Sequence, residues 1–264
     1  MTGVEHIAAA FAGKDKRAAL MPYLMGGFPD LETSRAIGDA CIDAGADLLE
    51  LGIPFSDPLA DGPVIQHAGT AALAAGATTD GVLAVCEQLA PRAPVVLMTY
   101  VNIVLARGIE RFVGQAAEVG AAGLIVPDVP LEESAELRAA CDAAGLALVP
   151  LVAPTTPDDR LARIGAQARG FVYTVSVVGT TGEREGGDAT DLLRRVKAAT
   201  DVPVALGFGI SNPEQAAAAA DAGADGVIVG SRLVREATEA DDPAAAVGRL
   251  VGRLADGLAA EPVG

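Results

Sequence analysis

One phrase returns four times along this chain. It reads Asp-Ala-Gly-Ala-Asp-Leu-Leu-Glu-Leu-Gly from Asp43 and Val-Gly-Ala-Ala-Gly-Leu-Ile-Val-Pro-Asp from Val119. It returns as Ala-Ala-Gly-Leu-Ala-Leu-Val-Pro from Ala143 and as Asp-Ala-Gly-Ala-Asp-Gly-Val-Ile-Val-Gly from Asp221. Each copy reads as the end of an Ala-rich helix, a Gly, and a short apolar run. Gly supplies the left-handed conformation that stops a helix, and an apolar run this short has the length of a buried strand. A recurring helix-to-strand unit indicates a βα repeat architecture.

The apolar runs predict eight strands: Leu20–Met25, Asp47–Leu51, Val95–Tyr100, Gly123–Val126, Ala147–Leu151, Phe171–Ser176, Val204–Gly207 and Val227–Gly230. Between them lie helical stretches with recognisable starts: Asp30 or Thr33, Pro157-Asp158, and Asn212-Pro213-Glu214. The chain has 264 residues, near the ~250 typical of one barrel of eight such units. No composition break or linker divides it. The expectation is an α/β fold, a single (β/α)8 TIM barrel over residues 1–264 with an additional N-terminal helix. An open, doubly wound sheet is the competing arrangement.

Composition agrees. Hydrophobic residues make up 51% and aromatics 3%, with no Trp, so the core must be built from Ala, Val, Leu and Ile. That suits strands buried on both faces under Ala-rich helices. The net charge of −16 opposes binding to nucleic-acid backbones and anionic membranes. Cys41, Cys86 and Cys141 are scattered, which points to buried thiols in a reducing compartment. Two histidines, His6 and His67, are too few for a histidine metal site. The longest apolar run, Val95 to Ala106, is about half a membrane span. A soluble, cytoplasmic protein without a metal is expected.

In a barrel, chemistry sits at the C-terminal ends of strands and in the loops that follow. Glu50 lies in the apolar run Leu48-Leu49-Glu50-Leu51-Gly52. Either it is buried, with a raised pKa suited to acid and base work, or it points outward to a helix cation. The loop after it, Pro54-Phe55-Ser56-Asp57-Pro58-Leu59-Ala60-Asp61-Gly62-Pro63, is restrained by its prolines. It carries Asp61 as a second carboxylate, or simply as a turn residue. Gly207-Phe208-Gly209-Ile210-Ser211 and Gly230-Ser231 end the last two strands. Loops at that address, with a helix N-terminus, hold phosphate through backbone N–H groups and need no Lys. The Gly-rich segment Val177–Gly187 is a candidate lid, or a surface loop. Tyr173, on the strand before it, offers a hydroxyl, or serves as a core residue.

The block Glu50-Leu51-Gly52-Ile53-Pro54-Phe55-Ser56-Asp57-Pro58-Leu59-Ala60-Asp61-Gly62-Pro63-Val64-Ile65-Gln66 closely resembles the signature of tryptophan synthase alpha subunits. Val126-Pro127-Asp128-Val129-Pro130-Leu131-Glu132-Glu133, Ser176 with Thr181-Gly182, Gly207-Phe208-Gly209-Ile210 and Gly230-Ser231 follow in the family's order. The resemblance implies a lyase that cleaves indole-3-glycerol phosphate to indole and D-glyceraldehyde 3-phosphate in L-tryptophan biosynthesis. It implies Glu50 as the acid/base, Asp61 on the indole N–H, Tyr173 beside the glutamate, and Thr181 closing over Asp61. Gly182, Gly209, Gly230 and Ser231 match phosphate-binding positions. Tyr23 stands where an aromatic lines the indole pocket, with Tyr100 and Asn102 after the third strand. The chain departs from the family's usual pattern at Met25-Gly26-Gly27-Phe28-Pro29 and at Val177-Val178-Gly179.

The resemblance also implies a beta-subunit partner in an αββα heterotetramer. Pyridoxal phosphate belongs to that partner, and this chain needs no cofactor of its own. Asp57–Pro63 and Asn102–Arg107 are the expected docking segments. Rival readings are a non-catalytic subunit that activates its partner, a free-standing lyase, or another barrel enzyme acting on a sugar phosphate. A Schiff-base aldolase would need a strand-borne Lys, and the only lysines, Lys14, Lys16 and Lys197, lie outside the expected strands.

Overall fold

The glycine of each repeated phrase is where the backbone turns left-handed. Its φ is +98° at Gly45, +79° at Gly120, +72° at Gly145 and +98° at Gly223 in the computed structural model of the chain. The structure describes residues 1–13, 15–175, 187–207 and 209–259. The elements run α1 (Gly3–Gly13), β1 (Ala19–Met25), α2 (Leu31–Asp43), β2 (Leu49–Gly52), α3 (Pro63–Ala74), α4 (Thr79–Leu89) and β3 (Val95–Met98). Next come α5 (Val101–Arg107), α6 (Ile109–Glu118), β4 (Gly123–Ile125), α7 (Ala135–Ala144), β5 (Ala147–Val149), β6 (Leu151–Val152) and α8 (Asp158–Gly165). The chain continues with β7 (Val172–Val175), α9 (Gly187–Lys197), β8 (Val204–Gly207), α10 (Pro213–Asp221), β9 (Gly226–Val229), α11 (Ser231–Glu239) and α12 (Pro243–Gly257).

Local chemistry explains the boundaries. Asp30 caps α2 by accepting from the Thr33 N–H, and Asn212 caps α10 by accepting from the Gln215 N–H. Each leaves one fewer orphan donor in a first helical turn. The Asp that follows the glycine in two of the phrases joins neighbouring strands. Asp47 accepts from the Leu20 N–H at 2.7 Å and pairs with Lys16 at 3.1 Å. Asp225 accepts from the Val204 N–H at 2.9 Å and pairs with Lys197 at 2.8 Å. Two of the three lysines are therefore spent at the N-terminal ends of strands, opposite to the end where barrel chemistry occurs.

All the strand pairs are parallel, and the order is β5-β4-β3-β2-β1-β9-β8-β7-β6. The two ends of that order, β5 and β6, are separated in sequence by Pro150 alone. They are halves of the single expected strand Ala147–Leu151, interrupted because proline has no N–H for the ladder. The chain itself thus closes the ring, and eight strand positions surround the axis. This is the TIM barrel, and the open doubly wound sheet is excluded.

Two apolar layers hold it. The outer layer packs helices on strands and includes Leu20, Leu49, Leu51, Leu97, Leu124, Val204 and Val227. The inner layer fills the barrel with Met21, Val96, Ile125, Val149, Phe171, Ala205 and Ile228. Helix α1 contributes Ile7 and Phe11 to that inner cluster, with the Phe11 and Phe171 rings 5.9 Å apart. It packs close to the Ala122 backbone: a Cβ on Gly3 would stand 2.3 Å from the Ala122 carbonyl oxygen. Burying each of these two α1 side chains contributes about 1.5–3 kcal/mol. The added N-terminal helix is therefore the floor of the barrel, which leaves the opposite mouth for a ligand. The three cysteines are free and buried, and burial pushes each thiol up to about 12. Among the described residues, no single helix is long and apolar enough to cross a membrane.

Candidate active site

Glu50 points inward. It sits on β2, only 4% exposed, and lines a cavity of about 390 Å³ at the C-terminal mouth of the barrel. Among the described residues its Oε2 has no hydrogen-bond partner. Burial first, and the nearby Asp61 charge second, push its pKa up to about 8. A carboxyl in this setting keeps its proton near neutrality and can give it away.

Asp61 lines the same cavity from the loop between β2 and α3. Burial raises it to about 6, against the pull of a hydrogen bond with the Tyr100 side chain. The loop is held in several places. Tyr100 Oη accepts from the Ala60 N–H at 3.0 Å, Phe55 stacks on the Tyr100 ring at 5.4 Å, and Gln66 Nε2 donates to the Asp61 carbonyl at 2.8 Å. Tyr100 was expected to end a strand at the ligand. It instead stands just before the first residue of α5, without a side-chain capping bond, and its side chain is not among those lining the cavity. Its contact with the site runs through Asp61.

Two tyrosines and two glycines shape the wall. Tyr23 on β1 is paired in register with Glu50, and a Cβ on Gly52 would stand 2.3 Å from the Tyr23 hydroxyl. On the other side of the barrel, a Cβ on Gly207 would stand 2.5 Å from the hydroxyl of Tyr173, which β7 carries. Each ring occupies room that a strand-end glycine leaves open. Burial raises both phenols well above their ordinary value, and Asp61 and Glu50 add to this in each case. Ile65, Met98, Ile125, Leu151, Val175 and Ile228 supply an apolar lining. The cavity thus gathers two carboxylates and two phenols around an apolar lining.

At the C-terminal ends of β8 and β9 the lining comes from Gly209, Ile210, Ser211, Gly230 and Ser231. Gly209 has φ +79°, and Gly230 precedes the first residue of α11. A helix N-terminus and a glycine-lined approach suit an anion. Sequence reasoning overlooked Arg232 and Arg235, which line the cavity too. Their spacing of three on a helix beginning at Ser231 was the available signal. Arg232 pairs with Glu236 at 2.6 Å, whereas Arg235 is exposed. Thr181, Gly182, Ser176 and the segment Val177–Gly179 lie outside the described residues. Among the described residues no group of three or more His, Cys, Asp or Glu is arranged to hold a metal ion.

The family model of the tryptophan synthase alpha chain matches residues 10–257. The chain belongs to the tryptophan synthase alpha chain family. The tryptophan synthase alpha chain of Synechococcus elongatus is 51% identical over 243 residues, covering 90% of this chain and 91% of that one. The alpha chain of Methanosarcina mazei is 48% identical over 245 residues, covering 92% and 90%. Among solved structures, Mycobacterium tuberculosis tryptophan synthase superposes with a TM-score of 0.90 at 40% identity, covering 97% of this chain and 98% of that one. The tryptophan synthase complex of Pyrococcus furiosus gives 0.84 at 36% identity, covering 90% and 98%. The alpha chain's role as a lyase component of tryptophan biosynthesis follows from this membership.

Proposed function

We propose that the cavity cleaves indole-3-glycerol phosphate to indole and D-glyceraldehyde 3-phosphate. The observation that carries this reading is a single cavity that brings Glu50 and Asp61 together with an apolar lining and with Gly209, Gly230, Ser231 and two arginines. The substrate asks for the same parts: an apolar ring, a phosphate, and between them a bond whose cleavage needs a proton.

The chemistry needs few parts. The carbon–carbon bond at C3 of the indole breaks easily once C3 is protonated, because the ring then accepts the bonding pair. Glu50, holding its proton up to about pH 8, supplies that proton and then takes one from the side-chain hydroxyl as the aldehyde forms. Asp61, ionised above about 6, accepts the indole N–H and stabilises the positive charge that develops there. The resemblance gives Tyr173 a place beside the glutamate and Thr181 a part in closing over Asp61. Gly209, Gly230 and Ser231 hold the phosphate through backbone N–H groups and the serine hydroxyl, and the resemblance adds Gly182 to them. These steps use no cofactor in this chain.

We further infer that the chain works with a pyridoxal-phosphate beta subunit in an αββα assembly. Each expected docking segment carries an exposed leucine, Leu59 at 93% and Leu105 at 56%, which a partner surface would cover. A reducing, cytoplasmic compartment fits the buried free thiols. The test is indole release from indole-3-glycerol phosphate by the purified chain, with and without its beta subunit. Slow release that rises sharply with the partner is expected. Fast release alone would mean a free-standing lyase, and none under either condition would mean a non-catalytic activating subunit.

A further inference from the structure

Tyr23 lines the cavity between Gly230 and Gly52, and its buried hydroxyl is unused in the steps above. A Cβ on Gly230 would lie 3.4 Å from the Tyr23 Cβ, whereas a Cβ on Gly52, at the end of the strand that carries Glu50, would lie 2.3 Å from the Tyr23 Oη. The side chain therefore lies between Gly230 and the end of the strand that carries Glu50, beside any chain that would join a ring near Glu50 to a phosphate at Gly230. Its Oη is buried and has no hydrogen-bond partner among the described residues. The charged groups that act on it are Asp61 and Glu50, and neither is bonded to it. A phenylalanine would line an indole pocket as well, without leaving a buried hydroxyl unsatisfied.

We propose that Tyr23 Oη hydrogen-bonds a hydroxyl of the substrate's glycerol chain, so that Tyr23 selects 3-substituted indoles whose side chain is hydroxylated over those whose side chain lacks hydroxyls. This rests on the lyase reading above. The discriminating variant is Tyr23→Phe, which keeps the ring and removes only the hydroxyl. Turnover of indole-3-glycerol phosphate is measured with the beta subunit present. Binding of 3-indolylpropyl phosphate, which lacks both side-chain hydroxyls, is measured on the full chain by ligand fluorescence, since the chain has no Trp to interfere. The expected result is a loss of about ten-fold in kcat/KM, as for one buried hydrogen bond, with the Kd of the bare analogue within about two-fold of wild type. Unchanged kcat/KM overturns the proposal, and so does an equal loss for both ligands, which would assign the effect to packing. A wild-type chain that releases no indole beside its partner fails the lyase reading itself. An active wild type with an unaffected Tyr23→Phe fails this proposal alone.

Discussion

The Tyr100 hydroxyl accepts a hydrogen bond from the backbone N–H of Ala60 at 3.0 Å, one residue before Asp61. The same hydroxyl bonds the Asp61 carboxyl and draws its pKa down against burial. One side chain thus fixes both the position and the charge of the second carboxylate. Tyr100→Phe removes both effects. The Asp61 pKa then rises, so the acid limb of the kcat/KM profile, near pH 6 in the wild type, moves to higher pH. The alkaline limb, set by Glu50 near 8, stays in place. A pH–rate profile of the variant checks this, and an unmoved acid limb would contradict it.

Glu50 also links pH to stability. In the folded chain it releases its proton at about 8, against an ordinary value of 4.5. Between those values the folded state holds more protons than the unfolded state, so this group's contribution is intact below 4.5 and is lost as pH rises towards 8. Glutamine cannot ionise and escapes the loss. Glu50→Gln should therefore melt close to wild type near pH 5 and progressively above it towards pH 8. Thermal melts of both proteins across that range decide the matter; a constant difference in Tm would mean that Glu50 is not held protonated.

Gly52 is required by its neighbour across the sheet. A Cβ there would stand 2.3 Å from the Tyr23 Oη and 2.9 Å from its Cζ. Gly52→Ala should cost about 1–3 kcal/mol through overpacking, read from urea unfolding. Adding Tyr23→Phe removes the tighter of those two contacts and should restore part of the loss. An alanine variant as stable as wild type would show that the ring has room elsewhere.

The fold was legible because its punctuation is chemical. Gly45, Gly120, Gly145 and Gly223 all have the positive φ that their place after a helix requires, and every expected strand overlaps an observed one. The details that escaped are those that sequence period cannot carry. Strands buried on both faces do not alternate polar with apolar, so the run Leu48–Leu51 could not say which way Glu50 points. Pro150 announced a break in a strand, yet not that the break would fall where the ring closes. The expected third strand ran on to Tyr100, whereas β3 ends at Met98 and the tyrosine precedes the first residue of α5. Arg232 and Arg235 were hidden because a basic pair on a helix usually reads as a solvated face. Only the closing of the barrel brings that helix to the mouth of the cavity.

The central claim is that Glu50 and Asp61 together perform the cleavage, and the most direct test is indole release by Glu50→Gln and Asp61→Asn beside the wild type, each with the beta subunit. Both replacements keep size and shape while removing a titrating group. The account predicts a loss of at least ~10²-fold in turnover for each, the lower range for a positioned acid or base. Turnover near that of wild type in either folded variant would contradict it.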